Sequence, residues 1–297
     1  MLRETLEGQT LNGYKLEKLI GGGAMGAIFR ASNPRFPIPL AVKVLSLYED
    51  DEDSQAHRFQ REARLLKALN HTNIVPIIDY GEANELRYFV MPLINGPTLE
   101  ALMPRREFSP QAARLVLTPL TSALGYAHEK GIIHRDIKPG NIMLESREGG
   151  APHVYLMDFG LGKRLLGDQS LQTESNITLG TPQYMAPEQV LGTKVDQRTD
   201  LYSLVVVLYQ LLLGKLPFEH VNPQIIALRH VETPPPAPRT LNPKFPKGLQ
   251  NVLLRALAKN PDERYQSAGD LNDAFTEALR GMSEAERKAI YRVEPKS

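Results

Sequence analysis

Alternating apolar and polar positions open the chain. Tyr14–Ile20 and Ala27–Ala31 alternate, and Leu40–Leu45 is a third, more continuously apolar run, so three strands are predicted. A glycine cluster at Gly21–Gly26 turns the chain between the first two, and the proline spacing of Asn33–Pro39 suits only a loop. After the acidic run Glu49–Asp53 the period lengthens to that of a helix, predicted over Gln55–Asn70. Phe59, Leu66 and Leu69 share one face there, while Arg58, Arg61, Arg64 and Lys67 mostly point elsewhere. Strand-like runs at Ile74–Gly81 and Leu86–Leu93 follow. From Pro97 the pattern is mainly helical: Pro110–Lys130, Arg198–Leu213, Pro223–Val231, Lys247–Leu257 and Ala268–Leu279, interrupted by a β-like stretch at His153–Phe159. A β-rich first third and a helical remainder predict an α+β chain with two lobes and a cleft between them.

Composition narrows the function classes. With 297 residues, 42% hydrophobic and 23% charged, the chain can build cores and does not read as disordered. Basic and acidic residues nearly cancel (35 against 34), so no global basic field points to nucleic acid. The absence of cysteine removes thiolate chemistry, Fe–S clusters and sulfur-bound zinc, and the seven histidines form no HExxH pair. The first eleven residues lack the apolar centre of a signal peptide. The most apolar stretch, Leu201–Leu213, carries Tyr202, Ser203, Tyr209 and Gln210 and falls short of the ~18 residues a membrane span needs. It reads as a buried helix, so contact with neither nucleic acid nor membrane is expected from this chain.

Three features carry chemistry. Gly21, Gly23 and Gly26 satisfy G-x-G-x-x-G, but Ala27 stands where a Walker loop needs lysine. A dinucleotide fold needs a helix after the glycines, whereas residues 27–30 continue as a strand. Strand–glycines–strand is a hairpin whose tip can lie close over phosphates, with an ordinary glycine turn as the alternative. Lys43 interrupts the third strand, and Glu62 interrupts the apolar stripe of the following helix. Two misplaced opposite charges in neighbouring elements can form a pair that holds the lysine against polyphosphate oxygens. A lysine reaching solvent and a glutamate at the edge of the stripe are the alternatives.

The third feature is His134-Arg135-Asp136-Ile137-Lys138-Pro139-Gly140-Asn141, followed by Asp158-Phe159-Gly160 and Ala186-Pro187-Glu188. With the upstream glycines and Ala41-Val42-Lys43, these are H-R-D-x-x-x-x-N, D-F-G and A-P-E in order, and the chain resembles the protein kinases from about Tyr14 to Leu279. Its wording is most similar to that of bacterial eukaryotic-like Ser/Thr kinases. The resemblance implies a bilobal protein-kinase-like fold with the ATP site in the cleft, and ATP and Mg²⁺ as cofactors. By it, Asp136 orients or deprotonates the acceptor hydroxyl, Lys138 neutralises the moving phosphoryl group, and Asn141 and Asp158 are metal ligands. Lys43, locked by Glu62, contacts the α- and β-phosphates. Adenine is expected between Ile28 and Ala41 on one side and Met143 on the other, against a linker of Met91, Pro92 and Ile94. Pro92 departs from the acidic residue common there, but proline keeps the carbonyl the base needs. Arg135, Thr181, Glu188, Asp200 and Arg264 are implied as supports, Glu188 with Arg264 as a buried pair and Asp200 as acceptor for catalytic-loop N–H groups. Asp196, Lys194 and His128 read as ordinary surface or packing residues.

Lys138 and Thr181 resemble Ser/Thr rather than tyrosine kinases, so the implied reaction moves the γ-phosphate of ATP to protein Ser/Thr hydroxyls. The chain itself is among the implied acceptors, with Thr173 and Ser175 as expected phosphosites. A pseudokinase scaffold is the alternative, although Lys43, Asp136 and Asp158 are all present. The expected organisation is 1–94 and 95–281 for the two lobes, with 282–297 as a tail. Protein substrates are the expected partners, and a homodimer stays open. The cytoplasm is the expected location, either for a soluble kinase or for the cytoplasmic part of a longer membrane receptor kinase.

Overall fold

The computed structural model describes residues 6–23, 26–45, 52–84, 86–159 and 181–293. They form two compact units that change over between Asn95 and Gly96. The first is an antiparallel sheet in the order β1-β2-β3-β4-β6-β5. Its strands are β1 (Thr10–Leu11), β2 (Tyr14–Gly23), β3 (Gly26–Ser32), β4 (Leu40–Leu45), β5 (Asp79–Ala83) and β6 (Leu86–Pro92), with helix α1 (Glu52–Lys67) between β4 and β5.

Register decides which face each side chain takes. Phe29, Val42 and Val90 lie opposite one another across β3, β4 and β6, fully buried in a core with Leu16, Ala31, Leu40 and Tyr88. Side chains alternate along a strand, so the neighbouring rows point to the other face. Ile28 lies opposite Lys43, which lies opposite Phe89, and Ala41 lies opposite Met91. Four residues expected around a nucleotide (Ile28, Ala41, Lys43 and Met91) therefore share one face of this sheet. On the same face Phe59 of α1 meets Phe89 edge-on, with ring centroids 5.2 Å apart.

Among the boundaries that differ from the sequence expectation are those of α1 and β5. Helix α1 starts and stops three residues earlier than predicted, within the acidic run that favours a helix N-terminus. Beyond it the Leu69 N–H closes onto the Leu66 carbonyl at 3.1 Å, and Leu69 stays buried outside the helix. Strand β5 starts at Asp79 rather than Ile74, because Pro76 has no N–H to give a ladder.

The second unit is mainly helical. After α2 (Leu99–Leu102), the long α3 (Pro110–Glu129) is capped by Ser109, whose hydroxyl accepts the Ala112 N–H, with proline at the first helical position. A two-stranded ribbon follows, β7 (Ile142–Glu145) paired with β8 (His153–Leu156). Then come α4 (Pro187–Val190), α5 (Gln197–Leu213), α6 (Pro223–Glu232), α7 (Pro238–Leu241), α8 (Lys247–Ala256), α9 (Ala268–Arg280) and α10 (Glu284–Lys288). Helix α5 is buried on nearly every side, as its apolar sequence demands, and ends at Gly214, whose φ of +69° is the left-handed value a stop requires. The expected tail is folded onto this unit as far as Val293. Tyr291 packs edge-on against Phe245, and the Val293 N–H bonds to the Leu213 carbonyl at 2.8 Å.

Candidate active site

In the first unit the glycines at the β2–β3 turn have separate reasons to be glycine. Gly26 has φ +141°, and a Cβ there would stand 2.0 Å from the Val44 carbonyl oxygen, so the sheet itself excludes any side chain. A Cβ at Gly21 would meet only Ile28 at 3.9 Å, an ordinary contact, so the described residues impose no such exclusion. Lys43 and Glu62 are both half-buried. Glu62 lies three residues beyond Phe59, which packs against the cross-strand neighbour of Lys43, so the fold brings the two charged residues to one side of the sheet. Pro92 is the last residue of β6, and Leu93 after it bonds to the Pro39 carbonyl at 3.0 Å, leading the chain to Ile94.

In the second unit Lys138 and Asn141 of the 134–141 loop converge on Asp136. Its Oδ2 accepts from Lys138 Nζ at 2.8 Å and from Asn141 Nδ2 at 3.0 Å, and its carbonyl accepts from the same Asn141 nitrogen at 2.8 Å. With its nitrogen committed to Asp136, the Asn141 amide has its oxygen left as a hard donor for a cation. Met157 gives its N–H to the Asn141 carbonyl at 3.0 Å and thereby ties the stretch carrying Asp158 to the loop. Asp158 itself has φ +62° and Arg135 has φ +66°. A non-glycine residue in this region costs on the order of 1–3 kcal/mol and persists only where its surroundings hold it.

The holding groups are buried and polar. Asp200 in α5 accepts the His134 N–H on Oδ2 and the Arg135 N–H on Oδ1, both at 2.8 Å. His128 Nε2 lies 2.8 Å from the same Oδ2. Burial alone would push the Asp200 carboxyl up, but the bond and charge of His128, with the neighbouring His134, hold it below the usual range. His134 is fully buried. Its Nδ1 accepts the Asp136 N–H at 3.2 Å, so Nε2 carries the proton and donates to the Met157 carbonyl at 3.0 Å. Burial keeps this imidazole neutral, its pKa lowered. Its ring also lies 4.6 Å from that of Phe159, giving the residues on both sides of Asp158 a common anchor.

Glu188 and Arg264 face each other in a two-pronged pair, with both N–O distances 2.9 Å, and the Thr199 hydroxyl donates to the same carboxylate at 2.7 Å. Burial raises the Glu188 carboxyl, and the Arg264 guanidinium and Thr199 more than offset it, leaving the pKa lowered. Thr181 opens the short turn 182–184, its carbonyl accepting the Tyr184 N–H at 3.3 Å. Met143 lies on β7, bridged to Thr98. The expected phosphosites Thr173 and Ser175, with Gly160, lie outside the described residues.

Several residues depart from their sequence reading or were absent from it. His128 is no ordinary packing residue, since it shares the Asp200 carboxylate with the catalytic loop. Asp196 caps α5 and grips the Arg198 guanidinium at 2.7 Å. Gln189, next to Glu188, donates to the Arg135 carbonyl at 2.8 Å. His230 bridges the Tyr202 hydroxyl and the Gln183 carbonyl, at 2.9 and 3.0 Å. A histidine at the buried end of α3 and a glutamine at the start of a helix each needed a partner, but nothing in sequence says which.

Comparison with known proteins agrees with this geometry. The protein kinase domain family matches residues 14–276. The chain is 40% identical over 283 residues to the serine/threonine-protein kinase Pkn1 of Myxococcus xanthus, covering 93% of this chain and 40% of Pkn1. It is 36% identical over 290 residues to PknB of Mycobacterium tuberculosis, covering 93% of this chain and 46% of PknB. It thus spans less than half the length of either relative. Among solved structures, the PknI kinase domain of Mycobacterium tuberculosis superposes with a TM-score of 0.72 at 29% identity, covering 92% of this chain and 98% of that one. The sheet unit and the helical unit correspond to the two lobes of that fold, and the chain belongs to the protein kinase family.

Proposed function

We propose that this domain transfers the γ-phosphoryl group of ATP to serine and threonine hydroxyls of proteins, its own included. The observation that carries the reading is the Asp136 carboxylate, gripped by Lys138 and Asn141 on one oxygen and preceded by the left-handed Arg135, whose N–H and carbonyl are held by the buried Asp200 and Gln189. A carboxylate fixed in this way orients an acceptor hydroxyl for in-line attack and takes up its proton, while Lys138 offsets negative charge beside it.

The residues fit ATP and Mg²⁺. Asn141 and Asp158 offer hard oxygens, which suit a small cation that completes its shell with phosphate and water. Among the described residues no group of three or more acidic or histidine side chains could hold a metal. Gly21, with no packing reason in the described residues to lack a side chain, leaves room for phosphates at the hairpin together with Gly23, while Gly26 lets the hairpin close against Val44. Lys43, steadied by Glu62, receives the α- and β-phosphates, and Ile28, Ala41, Met91, Pro92, Ile94 and Met143 take the adenine. Bound Mg²⁺ supplies charge neutralisation between phosphates. The chain's own residues supply position. The Ser/Thr choice rests on Lys138 and on relatives named serine/threonine-protein kinases. A pseudokinase would be marked by loss of Lys43, Asp136 or Asp158, and none is lost. Thr173 and Ser175 are the proposed autophosphorylation sites, and the cytoplasm is the proposed location.

The test is incubation of the pure chain with labelled ATP and Mg²⁺, followed by phosphosite mapping, beside Asp136→Asn. The variant is expected to bind ATP and lose transfer. Transfer within about tenfold of wild type, only ~1.4 kcal/mol of barrier, would remove Asp136 from the proposed role.

A further inference from the structure

The peptide group joining Arg135 to Asp136 is held at both edges. Its N–H, that of Asp136, donates to His134 Nδ1 at 3.2 Å, and its carbonyl, that of Arg135, accepts from Gln189 Nε2 at 2.8 Å. A peptide group is a rigid plane, so two hydrogen bonds on opposite edges fix its rotation and with it the direction in which the Asp136 side chain leaves the backbone. Arg135 needs this restraint, because its φ of +66° is unfavourable for a residue with a Cβ. Asp200 secures the two preceding peptide groups, through the His134 and Arg135 N–H groups, but not this one.

Gln189 reaches this plane from α4. It is 7% exposed, and its two amide ends do different work. Oε1 accepts the Ala186 N–H at 3.2 Å, a helix-capping bond at the start of the Ala-Pro-Glu segment, while Nε2 reaches across to Arg135. The cap requires only an acceptor, which glutamate supplies equally well. The bond to Arg135 requires a donor, which only the amide has.

We propose that Gln189 is a positioning residue for phosphoryl transfer: it holds the peptide plane that aims Asp136 and links that plane to the Ala-Pro-Glu segment. The proposal rests on the role assigned above to Asp136. Gln189 touches neither acceptor nor nucleotide in this account. Its effect is expected in turnover rather than in affinity.

Gln189→Glu separates the two jobs. It keeps the capping acceptor but sets a carboxylate oxygen against the Arg135 carbonyl. Measured on a protein acceptor, kcat is expected to fall about tenfold or more, because small misplacements of a reacting group are costly, while the KM values for ATP and acceptor stay within about threefold. Should the buried charge prevent folding, Gln189→Met, neutral and of similar length, removes the donor without adding charge, and the same split is expected. A kcat within about twofold of wild type in a folded variant overturns the proposal, as does a loss carried wholly by acceptor KM. Asp136→Asn, assayed in parallel, tells the two readings apart. If it retains transfer, the role of Asp136 fails; if it loses transfer while Gln189→Glu is unaffected, only the positioning role fails.

Discussion

Replacing Arg264 by methionine should remove a large part of the stability of the helical unit. Arg264 is 1% exposed, and all five of its N–H groups are committed. Nε donates to the Ala258 carbonyl, Nη1 to Glu188 and the Arg198 carbonyl, and Nη2 to Glu188 and the Lys259 carbonyl. Arg264→Met strands a buried carboxylate that keeps the Thr199 hydroxyl and a backbone N–H but loses its cation, together with three carbonyls. Breaking one side of a buried pair costs about 3–5 kcal/mol, against a total of ~5–15 kcal/mol for a folded domain. Urea unfolding followed by circular dichroism measures the loss, and the melting temperature should drop by about 10 °C. The double variant Glu188→Leu/Arg264→Met removes both charges and should be less destabilised than the sum of the single changes. The pH dependence has a definite sign. In the wild type the Glu188 carboxyl is lowered, so its contribution is present above the ordinary carboxylate range and lost in acid. In Arg264→Met the same carboxyl stays buried without its cation and rises, so the deficit should shrink as pH falls. A cost under about 1 kcal/mol at neutral pH, or simple additivity in the double variant, would refute this account.

Two further outcomes follow from the same structure. Burial and the nearby Lys259 charge lower the His230 imidazole from 6.5 to about 4, so the unfolded chain binds the extra proton between those values and stability is lost as pH falls through them. Between about pH 7 and pH 5 the wild type should lose about 2 kcal/mol more than His230→Gln in urea titrations, and parallel profiles would contradict the assignment. At the glycine hairpin, Gly26→Ala should cost about 2 kcal/mol or more in a thermal melt because its Cβ meets the Val44 carbonyl. Gly21→Ala should keep the melt and raise the KM for ATP, and equal destabilisation by both changes would count against the distinction.

What the sequence makes legible is set by how local each cause is. Four sheet strands and six long helices are visible because their apolar patterns run over many residues, and the helix limits agree closely where a proline, glycine or capping residue marks the end. Single-turn helices such as Pro187–Val190 and Pro238–Leu241 are too short to show a period. The apolar run toward β5 begins five residues before the strand does, because apolar content alone does not register the missing N–H of Pro76. The chemistry-bearing residues stand out for another reason: Asp136, Asn141 and Asp158 occur in a fixed order and spacing that resembles a family.

The frame around those residues is a different matter. Asp200, His128, Gln189 and His230 reach partners that lie 65, 72, 54 and 47 positions away, distances no local pattern carries, and only for Asp200 does the family resemblance imply the partner. Yet each of the four is a polar group inside or beside an apolar run, and a buried polar group must find a partner or cost ~1–3 kcal/mol. Sequence can therefore flag that a polar residue owes a hydrogen bond, and where no family resemblance names the partner only the fold can say to whom. Here the partners lie mainly in two places, the His134–Asp136 backbone and the 182–184 turn. Buried polar groups stabilise little in net terms but fix geometry closely, which suits a site whose chemistry is mostly positioning. The polar residues most readily dismissed as packing, His128 and Gln189, are for that reason the ones whose hydrogen bonds lead back to the residues flanking Asp136.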